Sequence, residues 1–322
     1  MAYTPASTLT TSPGLNHLAT VYYERTALDN LKQMLVFMDV TEPDDIPRRS
    51  GKTVQFYRYG VFGSNTAPSA EGTVGTGITP STSTISATVS EFSDFITIAS
   101  LLQETAIDPI VENSARELGY RAALSIDTII RVELESNTGN DTAPLSGAST
   151  SISDLRSNVS LLKAVNVLPR MGSDFTGIFH PYITHDIKAD NTAGGWIDVM
   201  KYANPSQALN HEVGKSEGVR IMESTNVGTS GSSPNVLYAG YIVGRGAIGA
   251  VSLAGRGPSR PMRDPRRGGQ AFRVNVIPGR PQLADPEGKI GAAISYRYVF
   301  VSVLLDETTL RYRTINSDAT LV

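Results

Sequence analysis

Apolar positions in this chain recur with two different periods, and each change of period marks an element. Over residues 15–40 the spacing of Leu18, Val21, Tyr22, Leu28, Leu31, Leu35 and Met38 predicts a helix that Pro43 and Pro47 stop. The period then falls to two. Residues 52–62 are rich in aromatic and β-branched side chains, and residues 84–99 place Ile85, Ala87 and Val89 at alternate positions, so both read as strands. A long helix follows, with Asp108 placed to cap it, Pro109 at its first position, and Val111, Ala115, Leu118, Ala122, Ile126 and Ile129 on one face down to Glu135. Its length would be roughly 40 Å. Ser151 with Asp154 predicts a capping box opening a second helix through Leu155, Val159, Leu162 and Val165, which Pro169 closes. Further on the pattern gives a strand at 177–180, a helix at 181–190 and a partly helical 196–211 broken near Pro205. Strands follow at 219–223, 236–243, 271–277, 292–305 and 309–315. Strands so scattered among helices point to an α+β chain.

The segment between the first two strands carries the strongest functional signal. It holds Pro68, Pro80, Gly72, Gly75 and Gly77 in a Ser/Thr tract, and Glu71 is the only charge between Gly63 and Ser90. A lone two-stranded hairpin is marginal in water because it cannot bury both faces against itself. Arms of about twenty residues would reach about 60 Å, whereas a globule of this length has a radius of gyration of about 20 Å. The projection is therefore expected to take its hydrophobic cover from a neighbouring copy.

Composition narrows the class. Charged residues make up 18 % of 322 residues, below the usual quarter, and the net charge of −3 gives no global attraction to nucleic acid or membrane. The absence of cysteine excludes disulfides, thiolate metal sites and cysteine nucleophiles. No apolar run approaches the ~18 residues of a membrane span. The first positive side chain is Arg25, so residues 1–13 do not read as a signal peptide, and a soluble protein made in the cytoplasm is expected.

Several motifs resemble chemistry without meeting its requirements. Gly51-Lys52-Thr53 and Gly214-Lys215-Ser216 lack the earlier glycine of a phosphate loop, those positions being Ile46 and Leu209. Residues 244–249 fit G-x-G-x-x-G after a strand, yet Gly268-Gly269-Gln270 stands where a ribose-binding acid belongs. His17, His180, His185 and His211 do not match zinc-ligand spacing, and no serine-hydrolase elbow occurs. No catalytic, cofactor or metal site emerges. Arg256, Arg260, Arg263, Arg266, Arg267, Arg273 and Arg280 are opposed in their stretch only by Asp264. Such a block suits carboxylates of a partner subunit first, then a solvated loop, then phosphate.

Four stretches in series resemble the major capsid protein of tailed bacteriophages, in the branch of podovirus N-four. They are residues 118–127 with Arg131-Val132-Glu133-Leu134, then Ile178-Phe179-His180-Pro181, then Trp196-Ile197-Asp198 onward through Gly218-Val219-Arg220, and Asp285-Pro286-Glu287-Gly288. The resemblance implies the Hong Kong phage-type capsid fold. Its parts would be an N-terminal arm (1–47), an extended hairpin loop (48–92), a peripheral domain with a long spine helix (93–150 and 271–313), an axial domain (151–270) and a tail (314–322). It implies a non-enzymatic subunit of an icosahedral head enclosing double-stranded DNA, made in the host cytoplasm and residing in the virion. Its partners would be further copies in pentameric and hexameric capsomers, a portal protein, scaffolding or decoration proteins, and DNA by non-specific contact. Val54, Phe56, Tyr57, Tyr59, Ile85, Val89, Arg263, Arg266 and Arg267 are the expected subunit-interface residues. An encapsulin-like compartment shares this fold and is the near alternative; a dinucleotide-dependent enzyme is the distant one.

Overall fold

The computed structural model describes residues 35–47, 49–60, 62–66, 68, 71–72, 74, 77–136, 141–142, 149–189, 212–232, 235–253, 273–278, 289–305 and 311–318. Residues 15–34 of the helix expected over 15–40, the 196–211 segment, Arg256 to Arg267, Arg280 and residues 285–288 lie outside them, and the described end of that helix is a 3-10 turn instead of an α-helix. A 3-10 turn, Phe37–Val40, runs straight into β1 (Thr41–Ile46). Strands β2 (Thr53–Tyr59) and β3 (Thr82–Thr88) pair with each other, and β4 (Ser90–Ala99) follows after Val89 alone. Helices α1 (Ser100–Thr105) and α2 (Ile110–Glu135) precede β5 (Asp141–Thr142) and α3 (Ile152–Ala164). Strand β6 (Phe175–Phe179) leads into α4 (Pro181–Ala189). The remaining elements are β7 (Glu212–Ser216), β8 (Val219–Glu223), β9 (Thr229–Ser232), β10 (Asn235–Val243) and β11 (Ile248–Leu253), then β12 (Arg273–Pro278), β13 (Ile290–Leu304) and β14 (Tyr312–Asp318).

Two sheets share one long helix. In the first, β13 pairs with β4 along one edge and with β12 and β11 along the other, and β1 lies parallel to β11. The second sheet runs β5-β14-β10-β6-β8-β7, with β9 also on β10. Side chains alternate across its strands, so Ile178, Tyr241, Val243 and Tyr312 face α2, while Phe179, Ile242 and Ile315 face α3 and α4. Helix α2 buries Ala115, Leu118, Ala122, Ile126, Ile130 and Leu134 against both sheets. The second sheet also satisfies the helix end, since the Tyr312 hydroxyl donates to the Leu134 carbonyl at 2.8 Å. Strands β1 and β11 belong with β13, and β14 with β10, so the first sheet crosses the sequence positions 47 and 270, and the second crosses 270 and 313. No described helix is long and apolar enough to cross a membrane.

Some local expectations change. The α2 cap is not made by Asp108: Pro109 occupies the cap position without a side-chain hydrogen bond. The capping box at α3 forms fully, with the Ser151 hydroxyl accepting from the Asp154 N–H and the Asp154 carboxylate accepting from the Ser151 N–H. Residues 41–46 are a strand despite Pro43, because β1 is an edge where a missing N–H is harmless. Arg170 holds that strand in place, donating to the Asp39 and Thr41 carbonyls at 3.0 and 2.7 Å and to Glu42 at 2.9 Å.

Candidate interaction surface

The hairpin has two unlike faces. Phe56 stands opposite Ile85 and Val54 opposite Ala87, so these share one face; Tyr57 opposite Thr84 and Tyr59 opposite Thr82 share the other. The apolar face turns inward. Val54 and Phe56 pack with Ile46, Val89, Val251 and Val299 on the side of the first sheet away from α2. The other face is open, with Tyr57 66 % and Tyr59 72 % exposed. It is uncharged, joined by Thr53 to Thr88 at 3.2 Å and by the Tyr57 hydroxyl donating to Gln55 at 3.2 Å.

This corrects the expected geometry of the projection. Residues 84–99 are not one arm, because β4 leaves the hairpin at Val89 and joins β13. The paired part has seven rungs, about 23 Å of strand, in place of about 60 Å. Val54, Phe56, Ile85 and Val89 contribute to the face turned toward their own chain, which leaves Tyr57 and Tyr59 available to a neighbour. Arg263, Arg266 and Arg267 lie outside the described residues. Sequence reasoning missed a second exposed apolar group: Phe95 on β4, Leu101 and Leu102 on α1, and Ile107 beyond it. Its signal was Leu101-Leu102 directly after a strand, an adjacent apolar pair that breaks the period of two.

The motifs that resembled active sites find structural roles. Residues 244–247 form a turn between β10 and β11, Ile248 and Gly249 already lie in β11, and no helix follows. The Gly244 and Arg245 N–H groups donate to the Arg311 and Leu168 carbonyls, both at 2.9 Å, so the turn is not a phosphate cradle. Lys215 lies in β7 and meets the buried Asp174 at 2.7 Å, with Arg220 at 3.5 Å. Burial opposes ionisation there, but the hydrogen bonds from Lys215 and Ser173 hold the Asp174 carboxyl below its ordinary range. His180 stacks on Tyr238 with ring centroids 4.2 Å apart, and burial pushes its pKa down, so it behaves as a packed neutral ring. Among the described residues no group of three or more His, Asp or Glu is arranged to hold a metal.

One polar group stands out inside the core. Asp127 shares the α2 stripe with Ala123, Ile130 and Leu134 and is 2 % exposed. Its Oδ2 accepts the Val36 N–H at 3.0 Å, tying the segment before β1 to α2. Burial raises its pKa to about 7, against the lowering effect of the Val36, Phe37 and Met38 N–H groups. Asp127 also lines a cavity of about 310 Å³ with Tyr120, Leu124, Pro181, Glu223 and Asn226. Its signal in the sequence is an acidic residue set within an apolar stripe, at Ile126-Asp127.

No protein-family model and no curated sequence matches this chain. Solved phage capsids do match it in structure. The capsid of Ralstonia phage GP4 superposes with a TM-score of 0.64 at 10 % identity, covering 87 % of each chain. The capsid of cyanophage P-SCSP1u gives 0.60 at 15 % identity over 89 % of this chain and 88 % of that one. The head of Helicobacter pylori bacteriophage KHP40 gives 0.61 at 10 % identity over 87 % and 91 %. The chain has the α+β Hong Kong phage-type capsid fold that the sequence resemblance implied.

Proposed function

We propose that this chain is the major shell subunit of a tailed-phage head, assembling through many copies of itself into an icosahedral container for double-stranded DNA. The observation that carries the reading is a capsid fold running through nearly nine-tenths of the chain, at similar coverage of each solved head protein. A hairpin fixed on one face and bare on the other supports it, since a closed shell repeats each such contact around every symmetry axis. In this role the segments 1–47, 48–92, 93–150 with 271–313, and 151–270 act as arm, extended loop, peripheral and axial parts. Tyr57 and Tyr59 face a neighbour within five- and six-membered capsomers. A portal protein and scaffolding or decoration proteins are the further partners, and DNA is met without sequence preference. The role is structural, in the virion, after synthesis in the host cytoplasm. The N-four-like branch rests on the sequence stretches alone.

Expression of the full chain followed by negative-stain microscopy tests the reading. Uniform shells, tubes or capsomer rings are expected. Replacing residues 63–80 by a short glycine linker should leave a folded subunit that forms few of them. A chain that stays monomeric at high concentration refutes the assignment, and an unchanged particle yield without the tip refutes the part given to the loop.

A further inference from the structure

We propose that the cavity beside Asp127 receives the guanidinium or ammonium group of an arginine or lysine from a second copy of this chain. The inference rests on the shell reading above, which supplies the second copy. At about 310 Å³ the cavity lies in the ~300–1,000 Å³ range of sites that hold small groups. It is bounded by α2, the segment at Val36, the start of α4 and the loop after β8.

The lining decides the chemistry. Asp127 uses Oδ2 on the Val36 N–H, the Phe37 and Met38 N–H groups also turn toward its carboxylate, and the buried Oδ1 still completes no hydrogen bond of its own. Such an unmet acceptor costs free energy until a donor arrives. Three donors of the loop beside it are engaged elsewhere. The Ser224 N–H goes to the Phe179 carbonyl at 3.0 Å, the Asn226 N–H to the Ser224 hydroxyl at 3.2 Å, and the Asn226 amide to Thr128 at 3.2 Å. Glu223 adds a second carboxylate, 4.0 Å from Lys188. An anion is repelled, a hydrocarbon leaves Oδ1 unmet, and one water is far smaller than the space. A cation with an apolar stem fits each constraint. Its head reaches Asp127, and its methylenes lie along Tyr120, Leu124 and Pro181. Tyr120 and Leu124 are 43 % and 40 % exposed, so the same wall continues to the outer side of α2, where a neighbour can enter.

Charge complementarity names the source. The chain holds seven arginines between 256 and 280 against one acid, Asp264. A shell repeats that sequence and this cavity in every copy, so each subunit carries both a donor and an acceptor. Arrival of the cation draws Asp127 fully to its ionised form and releases the fraction of a proton it still carries at pH 7.

The probe is ethylguanidinium, titrated calorimetrically at pH 7 in two buffers of different ionisation enthalpy, into free subunits and into shells verified by microscopy. Free subunits should take up one equivalent with proton release, and shells should take up none because a neighbour fills the site. Asp127→Asn should weaken binding at least tenfold and abolish the proton release, while Glu104→Gln on α1 leaves both unchanged. No uptake by free subunits overturns the proposal, leaving water or the chain's own residues in the cavity. Equal uptake by subunits and shells overturns the second copy as occupant. If the chain forms no shells the underlying reading falls first and this proposal with it, whereas normal shells with either failed titration overturn this proposal alone.

Discussion

Replacing Asp127 by asparagine should make the subunit's stability less dependent on pH, by an amount the structure sets. The carboxyl is 2 % exposed, and its pKa rises from 3.8 to about 7, chiefly through desolvation, with nearby Asp39 adding to the shift. A carboxyl raised on folding holds its proton in the native chain after the unfolded chain has lost it. Stability from this group is therefore complete below about pH 4 and is lost as the pH rises to about 7. A shift of about 3 units is worth about 4 kcal/mol. Asparagine keeps an acceptor for the Val36 N–H and cannot ionise. Its amide donor would stand where Oδ1 has no partner, costing about 1–3 kcal/mol at every pH. Urea unfolding of dissociated subunits, followed by circular dichroism between pH 4 and 8, measures the difference. At pH 4 the variant should be the less stable by about 1–3 kcal/mol, and at pH 8 the more stable by a similar amount. Taking variant minus wild type cancels the distant titrating groups, while the coupling of Asp39 to Asp127 stays within the measured difference. A difference that stays constant across this range refutes the buried, proton-holding carboxyl.

The hairpin's two faces should respond oppositely to substitution. Tyr57→Ser with Tyr59→Ser should leave subunit stability within about 0.5 kcal/mol yet lower particle yield severalfold, and equal yield by sedimentation refutes the outward role. Phe56→Ala, at a half-buried site, should cost about 1–2 kcal/mol and raise amide exchange over residues 53–59 in the free subunit; unchanged exchange places the packing elsewhere. Ser151→Ala removes one half of the α3 capping box and should cost about 1 kcal/mol, read from the urea midpoint, with no loss contradicting the cap.

What the sequence disclosed and what it hid divide along local and distant interactions. The α2 face was readable because Ala115, Leu118, Ala122 and Ile126 recur within the helix itself, and all four are buried. The α3 box was readable because Ser151 and Asp154 meet three residues apart. Strand β4 was misjoined to the hairpin because period-two alternation passes through Val89 unbroken and carries no sign of the partner. That partner, β13, lies about two hundred residues away, pairing Ala99 with Ile290. Strand β1 was hidden because Thr41–Ile46 reads TEPDDI, three acids and a proline that only a solvated edge accepts. At the interaction surface, the aromatic character of Tyr57 and Tyr59 was legible, but their face was not. Phe56 and Tyr57 are both aromatic neighbours in a strand, and only the sheet beneath decides which is covered.

The packed inner face changes the physical reason for assembly without weakening it. A hairpin with no cover of its own would have to be ordered at the moment of docking, at roughly 0.5–1.5 kcal/mol for each mobile side chain held. Here Val54 and Phe56 already anchor β2 on Val251 and Val299, so much of that ordering precedes contact. The outward tyrosines are thus presented on a rigid strand at low entropic cost, and tyrosine brings large apolar area with few torsions to freeze. Each contact can then be modest, because a shell repeats it on every subunit. Weak, repeated contacts also dissociate readily when misplaced, which lets a closed shell correct errors as it grows. A projection anchored on one face and bare on the other meets both needs: firm enough to hold its geometry, and incomplete until a neighbour arrives.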